Sequence, residues 1–582
     1  MSEPGQNSSN PQRSVVEVVK GESHFLRGTL VSSLSDPLTG AIAEDDTHLS
    51  KFHGIYQQDD RDLRLERQRQ KLEPAFAFMI RARVVAGRFS CEQWIKLDDL
   101  VRTYAHGALR LTTRQTFQLH NVRKNDLKAC VQAINGLAVD TLAACGDVNR
   151  NVMCTPVCDA SPVYQQTWQT AVDLSKHLSP QTRAYAELWL DEPPVGSDEE
   201  PFYGATYLPR KFKIGFAIPP INDVDIYTQD LGFIAIHRNG TLLGFNVTIG
   251  GGLGMSHGDP STYARLGTLI GFCPPNRVIA LAEAVVSIQR DEGSRAERSQ
   301  ARLKYTLDRL GLEWFCSELE QRVGFSLGKA KPMTFTHNGD AIGWRKAGRR
   351  YPPVQGTTQA TNSEAESLWN LTLFIPGGRI QDEPDRPLLT CLREIAEIHS
   401  GEILFTPNQN LIFAGIREDI RPRIEALLKQ PSIRKLQLAA SSKHKAMACV
   451  ALPTCGLAMA EAERLLPTFL SRFDALLEHH GLLQHAPTLR ITGCPNGCAR
   501  PYVAEIALIG KAPGRYNLML GGSPKGDRLN WLYRENQSQE EVLSTLDKLL
   551  GSYVVQREKR ECFGDFMTRL REQNLVHSQQ VV

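Results

Sequence analysis

Four cysteines in the last quarter of the chain have the spacing of a soft-metal site. They form two close pairs, each flanked by proline and glycine and with few charges nearby: Cys449-x5-Cys455 and Cys494-x3-Cys498. Four thiolates suit either zinc or an iron–sulfur cluster. Structural zinc sites prefer C-x2-C loops, which neither pair has, so the spacing favours a cluster and leaves zinc open. Ordinary buried cysteines are the third interpretation, because free cysteine is often buried.

Basic residues form a second candidate site, because several alternate along stretches with strand-like patterns. Arg81 and Arg83 stand two apart in an apolar run, so both are expected on one face, and Lys211 and Lys213 alternate in the same way. Four further polar candidates lie on or beside a predicted strand: Arg110, Arg114, Gln118 and His120. Arg150, in the string Asn149-Arg-Asn-Val152, is another candidate. Cations directed inward need an anionic partner, since unpaired buried charge is costly. Charges on outer sheet faces are the alternative, and His120 taken alone is more typical of a structural histidine.

Three predicted elements position these residues. A strand is predicted over 76–85 and a second strand region over 109–122. Between the cysteine pairs, apolar residues at helical spacing predict an amphipathic helix over 465–477 that stops at Gly481.

Three segments occur twice in the same order, which indicates a duplicated unit. The matching pairs are 107–115 with 401–409, 86–88 with 377–379, and 244–251 with 515–522. The prediction is an α+β (mixed α/β) fold with pseudo-twofold symmetry and a ligand on the seam between the copies. A further alignment, of Pro209 with Pro495, sets Lys211 and Lys213 opposite 494–498, as though one copy carried cations where the other carries thiolates.

Length and composition exclude several classes of protein. With 582 residues the chain exceeds a single core of ~250–300 residues, so several domains are expected. Hydrophobic residues at 41% and charged residues at 23% indicate a soluble globular protein, and a net charge of +3 is too mild for nucleic-acid binding. Thirteen cysteines, an odd number in a long chain, favour reduced thiols over a disulfide framework. No signal peptide or membrane span is recognised, so a cytoplasmic location is expected.

Nucleotide-binding motifs are missing from the sequence. It contains no G-x-G-x-x-G, no Walker A and no H-E-x-x-H string. If the chain is a redox enzyme, its electrons therefore come from a partner.

The two cysteine pairs, the string Thr492-Gly-Cys-Pro-Asn-Gly-Cys498 and the duplicated half resemble the sirohaem-dependent sulfite and nitrite reductases. The resemblance covers nearly the whole chain and is closest to the haemoprotein (beta) subunits of NADPH-dependent assimilatory sulfite reductases. Further matching strings are Tyr56-Gln-Gln-Asp-Asp-Arg-Asp62, Lys71-Leu-Glu-Pro74, Arg114-Gln-Thr-Phe-Gln118, Tyr207-Leu-Pro-Arg-Lys-Phe-Lys213 and Lys511-Ala-Pro-Gly-Arg-Tyr-Asn517.

The resemblance implies two coupled cofactors. One is a [4Fe–4S] cluster on Cys449, Cys455, Cys494 and Cys498, and the other is a sirohaem whose iron takes the Cys498 thiolate as axial ligand. Seven residues are implied at or near the macrocycle: Arg110, Arg114, Gln118, His120, Arg210, Lys304 and Asn496. Four are implied to bind sulfite on the open face: Arg81, Arg150, Lys211 and Lys213.

The implied reaction is the six-electron reduction of sulfite to sulfide, in sulfate assimilation and cysteine biosynthesis. Arginines, which keep their charge, hold the anion, while Lys211 and Lys213 donate protons as S–O bonds break. Electrons from NADPH pass through the FAD and FMN of a flavoprotein (alpha) partner in a hetero-oligomer. The alternatives are a sirohaem nitrite reductase, which uses the same cofactors, and a non-catalytic protein whose four cysteines hold a metal or carry electrons.

The same resemblance predicts how the chain is divided. An N-terminal extension, with a role in docking the flavoprotein, covers 1–70. Ferredoxin-like half-domains cover 71–140 and 351–435. A first sirohaem-binding domain, without cluster ligands, covers 141–350, and the cluster- and sirohaem-binding domain covers 436–582.

Overall fold

A computed structural model of the chain describes residues 13–156, 161–193, 200–347, 368–438 and 441–580. Its strands are β1 (Ile55–Asp59), β2 (Phe76–Arg81), β3 (Arg88–Ser90), β4 (Ala108–Leu111), β5 (Phe117–Val122), β6 (Met153–Cys154), β7 (Ile214–Ala217), β8 (Leu231–Arg238), β9 (Thr241–Ile249), β10 (Thr268–Cys273), β11 (Gly343–Lys346), β12 (Leu368–Leu373), β13 (Arg379–Glu383), β14 (Arg386–Pro387), β15 (Glu402–Phe405), β16 (Leu411–Arg417), β17 (Ala446–Ala448), β18 (Leu489–Thr492), β19 (Ile506–Ala512), β20 (Arg515–Leu520) and β21 (Trp531–Gln537).

Its α-helices are α1 (Val15–Glu22), α2 (Leu30–Ser35), α3 (Glu44–Leu49), α4 (Arg64–Arg69), α5 (Cys91–Tyr104), α6 (Leu127–Asn135), α7 (Pro162–His177), α8 (Ala184–Leu190), α9 (Val278–Glu292), α10 (Leu303–Leu310), α11 (Leu312–Val323), α12 (Leu388–Ile398), α13 (Arg421–Leu428), α14 (Pro431–Gln437), α15 (Ser441–His444), α16 (Leu466–His479), α17 (Gln539–Gln556) and α18 (Phe563–Gln580). The mixed α/β fold class is confirmed. None of the helices in the described ranges is long and apolar enough to cross a membrane.

Two of the sheets share one topology and exchange a strand. Their strand orders are β1-β2-β5-β4-β13-β14 and β11-β12-β16-β15-β3. β3, from the first repeat, pairs with β15 of the second, whereas β13 of the second pairs with β4 of the first. Each copy therefore completes the other's sheet, and separating them would break backbone hydrogen bonds in both.

The other two sheets also correspond strand for strand. Their orders are β6-β7-β8-β9-β10 and β17-β18-β19-β20-β21, and in both the first three strands are parallel and the last two antiparallel. The matched segments 244–251 and 515–522 lie mainly on β9 and β20, which are counterparts, so that match is confirmed.

The alignment of Pro209 with Pro495 is wrong. Lys211 and Lys213 lie before β7, whereas 494–498 lies after β18, the counterpart of β7. The strand order instead pairs the cysteine segment with the loop after β7. A short match between loops has no strand register to fix it, and the lysines do not occupy the place of the cysteines.

Matching left-handed glycines build the seam between the copies. Gly87 and Gly378 have φ of +72° and +75°. A Cβ on Gly87 would lie 2.4 Å from the Phe405 carbonyl oxygen, and one on Gly378 would lie 2.3 Å from the Leu111 carbonyl oxygen. Phe405 and Leu111 are themselves matching positions, at the ends of β15 and β4. Each copy thus presses a glycine against a strand of the other, which confirms this part of the repeat and requires glycine at both positions.

The helix between the cysteine pairs forms as its apolar spacing predicts. α16 contributes one face to a separate core under β17–β21, with Leu466, Phe469, Leu470, Phe473 and Leu477 buried. It ends before Gly481, whose φ of +68° gives the left-handed residue that commonly follows a helix.

Part of the stretch predicted as an N-terminal extension packs on the rest of the molecule. β1 is the edge strand of the first sheet. Lys20 of α1 is buried, and its ammonium group donates to the Leu208 carbonyl oxygen at 2.8 Å. Large apolar side chains in this stretch are nevertheless exposed: Val15, Val31 and Leu38. The predicted boundary at 350/351 lies outside the described residues.

Candidate active site

A row of polar side chains crosses four strands on one face of the first sheet. Arg81 on β2 lies opposite Gln118 on β5. Gln118 lies opposite Arg110 on β4, which in turn lies opposite Arg379 on β13. His120 follows Gln118 by two residues on β5 and faces the same side. Since directly opposed residues share a face, the sheet register brings four of the predicted site residues together.

Arg81 is held by uncharged groups. Its Nη1 donates to Cys145 Sγ at 3.1 Å. With the oxygen and nitrogen of the Gln118 side-chain amide exchanged, which satisfies the hydrogen bonds of both atoms, the Nε of Arg81 donates to the amide oxygen at 3.1 Å. β2 ends at Arg81, so strand alternation does not continue to Arg83, whose guanidinium instead pairs with the Asp140 carboxylate at 2.7 Å. Of these two arginines, only Arg81 has no carboxylate partner among the described residues.

Arg150, Lys211 and Lys213 come from two segments that hydrogen-bond side by side. The Arg150 N–H donates to the Phe212 carbonyl oxygen at 2.9 Å, and the Phe212 N–H donates to the Val148 carbonyl oxygen at 2.9 Å. This pairing places Arg150 next to the segment 211–213. Side chains alternate along that segment, so Phe212 is buried and the two lysines point to the other side.

The Arg150 side chain also has uncharged partners. Its Nε donates to the Gly146 carbonyl oxygen at 2.7 Å, and its Nη1 donates to the Ala144 carbonyl oxygen at 3.2 Å. The Tyr56 hydroxyl is a further hydrogen-bond partner of the guanidinium, and burial raises the pKa of Tyr56, so this phenol stays neutral. Two guanidinium groups with neutral partners make a site that attracts an anion.

The two lysines have lowered pKa values. Burial lowers the pKa of Lys211 to about 7, and Arg210 and Arg302 add to the shift. Burial, followed by Arg302 and Lys211, lowers the pKa of Lys213 well below its ordinary value. Both side chains are only half-buried by solvent accessibility, as expected of residues that line a cleft. A lysine with a pKa near 7 can donate a proton at neutral pH.

The cysteine pairs lie on loops that follow β17 and β18. Cys449 comes directly after β17, and Cys494 stands two residues after β18. These strands are parallel neighbours, so their carboxyl ends meet at one edge of the sheet although α16 separates them in sequence. Cys498 is exposed, whereas Cys494 is buried and Cys449 and Cys455 are half-buried.

Backbone N–H groups are directed at three of the four sulfurs: Gly493 at Cys449 (3.2 Å), Leu457 and Ala458 at Cys455, and Asn496 at Cys494. Such N–H···S bonds stabilise thiolates and tune the potential of a cluster. The proline and glycine residues of the loops make this backbone arrangement accessible, as their positions in the sequence indicate.

The four sulfur atoms are close enough to affect one another's pKa values, but they do not surround a single metal position. Burial raises the pKa of Cys449 to about 11 and that of Cys494 to about 12, and the charge of Cys498 adds to both shifts. Within the described ranges, no three His, Cys, Asp or Glu side chains come together as ligands of a single metal ion. A [4Fe–4S] cluster spreads its thiolates over four irons, whereas zinc needs every sulfur about 2.3 Å from one ion. The positions therefore suit a cluster better than zinc.

The cysteine loops and the cationic residues meet across the seam. Thr113, in the β4–β5 turn, donates its hydroxyl to the Cys498 carbonyl oxygen at 2.8 Å. Cys498 also lies within electrostatic range of both Arg81 and Lys211. The seam thus brings predicted sulfite-binding residues of one copy near Cys498 of the other, and their roles stay predictions.

Arg110 has an anionic partner within the chain. Its Nε donates to the Glu463 carboxylate at 2.7 Å, and its Nη2 donates to the Ala448 carbonyl oxygen at 2.9 Å. Arg379 pairs with the same carboxylate at 2.7 Å. Arg110 therefore ties the first sheet to the start of the cysteine loops, and its predicted contact with the macrocycle stays a prediction.

Arg114 and Arg210 are cations without an ion pair among the described residues. Arg114 donates from Nη1 to Gln229 Oε1 at 2.6 Å and from Nη2 to the Ile214 carbonyl oxygen at 2.9 Å, while its buried Nε has no partner in the described ranges. Burial lowers the pKa of Arg114 to about 9. Burial, with Arg298 next, lowers that of Arg210 to about 10.

His120 and Lys304 differ in how far their polar atoms are satisfied. His120 Nδ1 lies 3.4 Å from Gln58 Oε1, its buried Nε2 has no partner among the described residues, and burial holds its pKa well below the ordinary value. Lys304 donates to the carbonyl oxygens of Gly252 at 3.1 Å and Gly254 at 2.9 Å, and burial lowers its pKa to about 7. The glycine-rich loop is thus held by Lys304.

The same loop approaches Asn496. A Cβ on Gly254 would lie 3.3 Å from the Asn496 carbonyl oxygen, and the Met255 N–H donates to the Pro495 carbonyl oxygen at 3.1 Å. Lys304 and Asn496 are therefore brought to one place by the loop that begins after β9.

Several residues of the site escaped sequence reasoning. Tyr56 belonged to a matching string but had no assigned role, although strand alternation places it on the face of its neighbour Met79 and so of Arg81. Cys145 was one cysteine among thirteen, and nothing in its spacing marks it. Thr113 and Glu463 act across the seam, where no local pattern could have identified them.

Comparisons with known proteins support the duplicated fold. Residues 172–327 match the nitrite and sulphite reductase 4Fe-4S domain, and residues 69–137 and 362–431 match the nitrite/sulfite reductase ferredoxin-like half domain. The second match occurs twice, as a duplicated fold requires. The solved structure of NirA from Mycobacterium tuberculosis has a TM-score of 0.75 and 21% identity over 96% of this chain and 97% of that chain, which shows a shared fold.

Two curated relatives are similar over nearly their whole length. The sulfite reductase [NADPH] hemoprotein beta-component of Geobacillus kaustophilus (strain HTA426) is 52% identical over 560 residues, or 95% of each chain. That of Xylella fastidiosa (strain M12) is 53% identical over 561 residues, or 96% of each chain. With this identity over both repeats, the chain belongs to the family of nitrite and sulfite reductases.

Proposed function

We propose that the chain is the haemoprotein component of an assimilatory sulfite reductase and reduces sulfite to sulfide. The observation that carries the proposal is that Arg81 and Lys211, with Arg150 beside Lys211, lie within electrostatic range of Cys498, whose carbonyl oxygen accepts from Thr113 across the seam at 2.8 Å. Within the described residues, none of these three cations forms an ion pair with a carboxylate. A small oxyanion supplies the missing negative charge, and sulfite has the size and charge for it.

The residues present fit a [4Fe–4S] cluster and a sirohaem. Backbone N–H groups point at three of the four cysteine sulfurs. Among the described residues, the sulfurs do not come close enough together to bind one metal ion. Arg114 Nε and His120 Nε2 are buried polar atoms without partners among the described residues, as expected where carboxylates of a haem would accept hydrogen bonds. When bound, a haem coupled to the cluster would supply the electrons for the reduction of sulfite. Cys449, Cys455, Cys494 and Cys498 would hold the cluster, and Cys498 would also bind the haem.

The side chains of the site divide the remaining work. Arg81 and Arg150 hold the oxygens of the anion and keep their charge throughout. Lys211, with its pKa lowered to about 7, gives up a proton as an S–O bond breaks, and Lys213 supplies a second proton donor. Since sulfite brings negative charge, its binding raises the pKa of both lysines and loads them with protons.

Steady-state kinetics of the purified, cofactor-loaded chain with sulfite and with nitrite test this function. If the chain is a sulfite reductase, we expect it to form sulfide from sulfite with a kcat/KM that can be measured. Negligible sulfite turnover together with efficient nitrite reduction would reassign the chain to nitrite.

The electron source in this proposal is a flavoprotein (alpha) partner that carries FAD and FMN and oxidises NADPH. The docking role that we propose for the predicted extension 1–70 is supported by several apolar side chains exposed within one short stretch, at Val15, Val31 and Leu38. We propose that this complex works in the cytoplasm, where NADPH is available.

The domain division also stays a proposal. β3 and β13 each pair with a strand of the other copy, which supports treating 71–140 and 351–435 as halves of one unit. The separate core under β17–β21 supports 436–582 as a domain of its own.

A further inference from the structure

Three consecutive residues, 144–146, together contact both of the proposed sulfite-binding arginines. Cys145 Sγ accepts from Arg81 at 3.1 Å. The carbonyl oxygens on either side, those of Ala144 and Gly146, accept from Arg150 at 3.2 Å and 2.7 Å. The two arginines come from separate elements, so this short segment is the common support that sets the distance between them.

The segment is rigid for reasons visible in its backbone. Gly146 has a φ of +86°, and a Cβ there would lie 2.7 Å from the Phe52 ring. Ala143 is also left-handed, with a φ of +59°, and its N–H donates to the Phe52 carbonyl oxygen at 2.8 Å. Cys145 itself is fully buried. A segment that is packed and hydrogen-bonded in this way holds in place the guanidinium groups that it contacts.

The acceptors are a cysteine sulfur and two carbonyl oxygens rather than a carboxylate, and this matters for an anion site. A carboxylate in the same place would satisfy the charge of the arginine, as Asp140 does for Arg83 at 2.7 Å. A thiol sulfur is only a weak acceptor. It can orient Arg81 while leaving its positive charge available.

We infer that residues 144–146 are the element that positions Arg81 and Arg150 for sulfite, and that Cys145 is a positioning residue in this site. The inference rests on the proposed function and adds residues that do not touch the substrate. The Cys145 thiol takes no part in electron or proton transfer.

Two substitutions and a matched control test the role of Cys145. Cys145→Ala removes the acceptor, whereas Cys145→Ser restores one of similar size. Cys130→Ala is the control, because Cys130 on α6 is equally buried. Sulfite binding is measured as the dissociation constant from an absorbance titration of the oxidised haemoprotein, alongside KM and kcat at equal iron and sirohaem content.

We expect Cys145→Ala to weaken sulfite binding about tenfold and to raise KM in proportion, with a smaller change in kcat. Cys145→Ser recovers most of the affinity, and Cys130→Ala binds sulfite like the original protein. Equal affinity for Cys145→Ala and Cys130→Ala would overturn the inference, as would a serine variant no better than alanine. A failure of the proposed function would appear separately, as an original protein that neither binds nor reduces sulfite.

Discussion

At the scale of single residues, the partner of an arginine decides what it can do. Arg81 and Arg83 stand two positions apart and have the same chemistry. Arg83 is neutralised by Asp140 at 2.7 Å, whereas Arg81 touches a thiol and an amide. Only the second arrangement leaves a charge for a ligand.

This difference predicts opposite outcomes for two alanine variants. Arg81→Ala should raise KM for sulfite about tenfold to a hundredfold, because it removes a charged hydrogen bond to the anion. Arg83→Ala should lower the midpoint of thermal unfolding and leave KM within about twofold, since the interactions lost, with Asp140 and Ser179, are structural. Steady-state kinetics and thermal unfolding of both variants check this, and equal effects on KM would contradict the assignment.

Lys211 is the residue whose loss should slow turnover most without disturbing the cofactors. Lys211→Met replaces the lysine by a side chain of similar length that cannot donate a proton, so we expect kcat to fall by about a hundredfold or more. Iron and sirohaem content should stay normal, and metal analysis with an absorption spectrum measures both. Unchanged turnover would remove the assigned role.

The pH dependence of Lys211 has a definite sign. In the free protein its pKa is about 7, so the ammonium form is lost as pH rises through that value and kcat/KM should fall with it. Lys211→Arg keeps its charge, so its kcat/KM should fall less over the same range. Sulfite itself titrates near neutral pH, and therefore the ratio of variant to original protein at each pH is the quantity compared. A ratio that does not change with pH would count against titration of Lys211.

Residue types and spacing were enough to single out the four cysteines and most of the cations as candidates, and their roles stay predictions. They could not show which cation already has a partner, because Glu463, which neutralises Arg110, is distant in sequence. They could not single out Cys145 either, since its role depends on a contact with β2.

At the scale of elements, the repeat is supported by matched geometry rather than by sequence alone. Gly87 and Gly378 share a left-handed conformation and press on the carbonyl oxygens of Phe405 and Leu111. Segments with strand register, such as 107–115 and 401–409, could be matched from the sequence. The loop match of Pro209 with Pro495 could not, because loops of unequal length leave the alignment free to slip.

The matched glycines predict a matched sensitivity. Gly87→Ala and Gly378→Ala should each destabilise the protein by about 2–3 kcal/mol, since each Cβ meets a backbone oxygen of the other copy. Gly107→Ala is the control, because Gly107 has a φ of +71° but nothing within 4 Å of its Cβ position, and we expect about 1 kcal/mol. Thermal unfolding of the three variants checks this, and a control as damaging as the seam variants would contradict the account of the seam.

At the scale of the whole molecule, the two copies have taken different roles around one site. The first supplies Arg81, Arg150 and the lysines, and the second supplies the cysteine loops. Thr113 bridges them through the Cys498 carbonyl oxygen at 2.8 Å. The exchanged strands hold the halves in the register that this site needs.

The proposed flavoprotein contact predicts a selective defect. Leu38 is 91% exposed, and Leu38→Asp should lower NADPH-supported turnover severalfold at limiting flavoprotein, because an apolar contact is lost. Turnover with reduced methyl viologen, which needs no docking, should not change. Val555→Asp, at a residue that is 82% exposed on α17, should leave both rates as they are. Equal NADPH-supported rates for the two variants would place the contact elsewhere.

The most direct test of the central claim is the number of electrons consumed for each sulfide released by the purified haemoprotein, with sulfite as substrate and reduced methyl viologen as donor. Reduction of sulfite to sulfide at one coupled site predicts six electrons per sulfide, with no partly reduced sulfur species released. Consumption of fewer electrons with products other than sulfide, or no consumption at all, would contradict it.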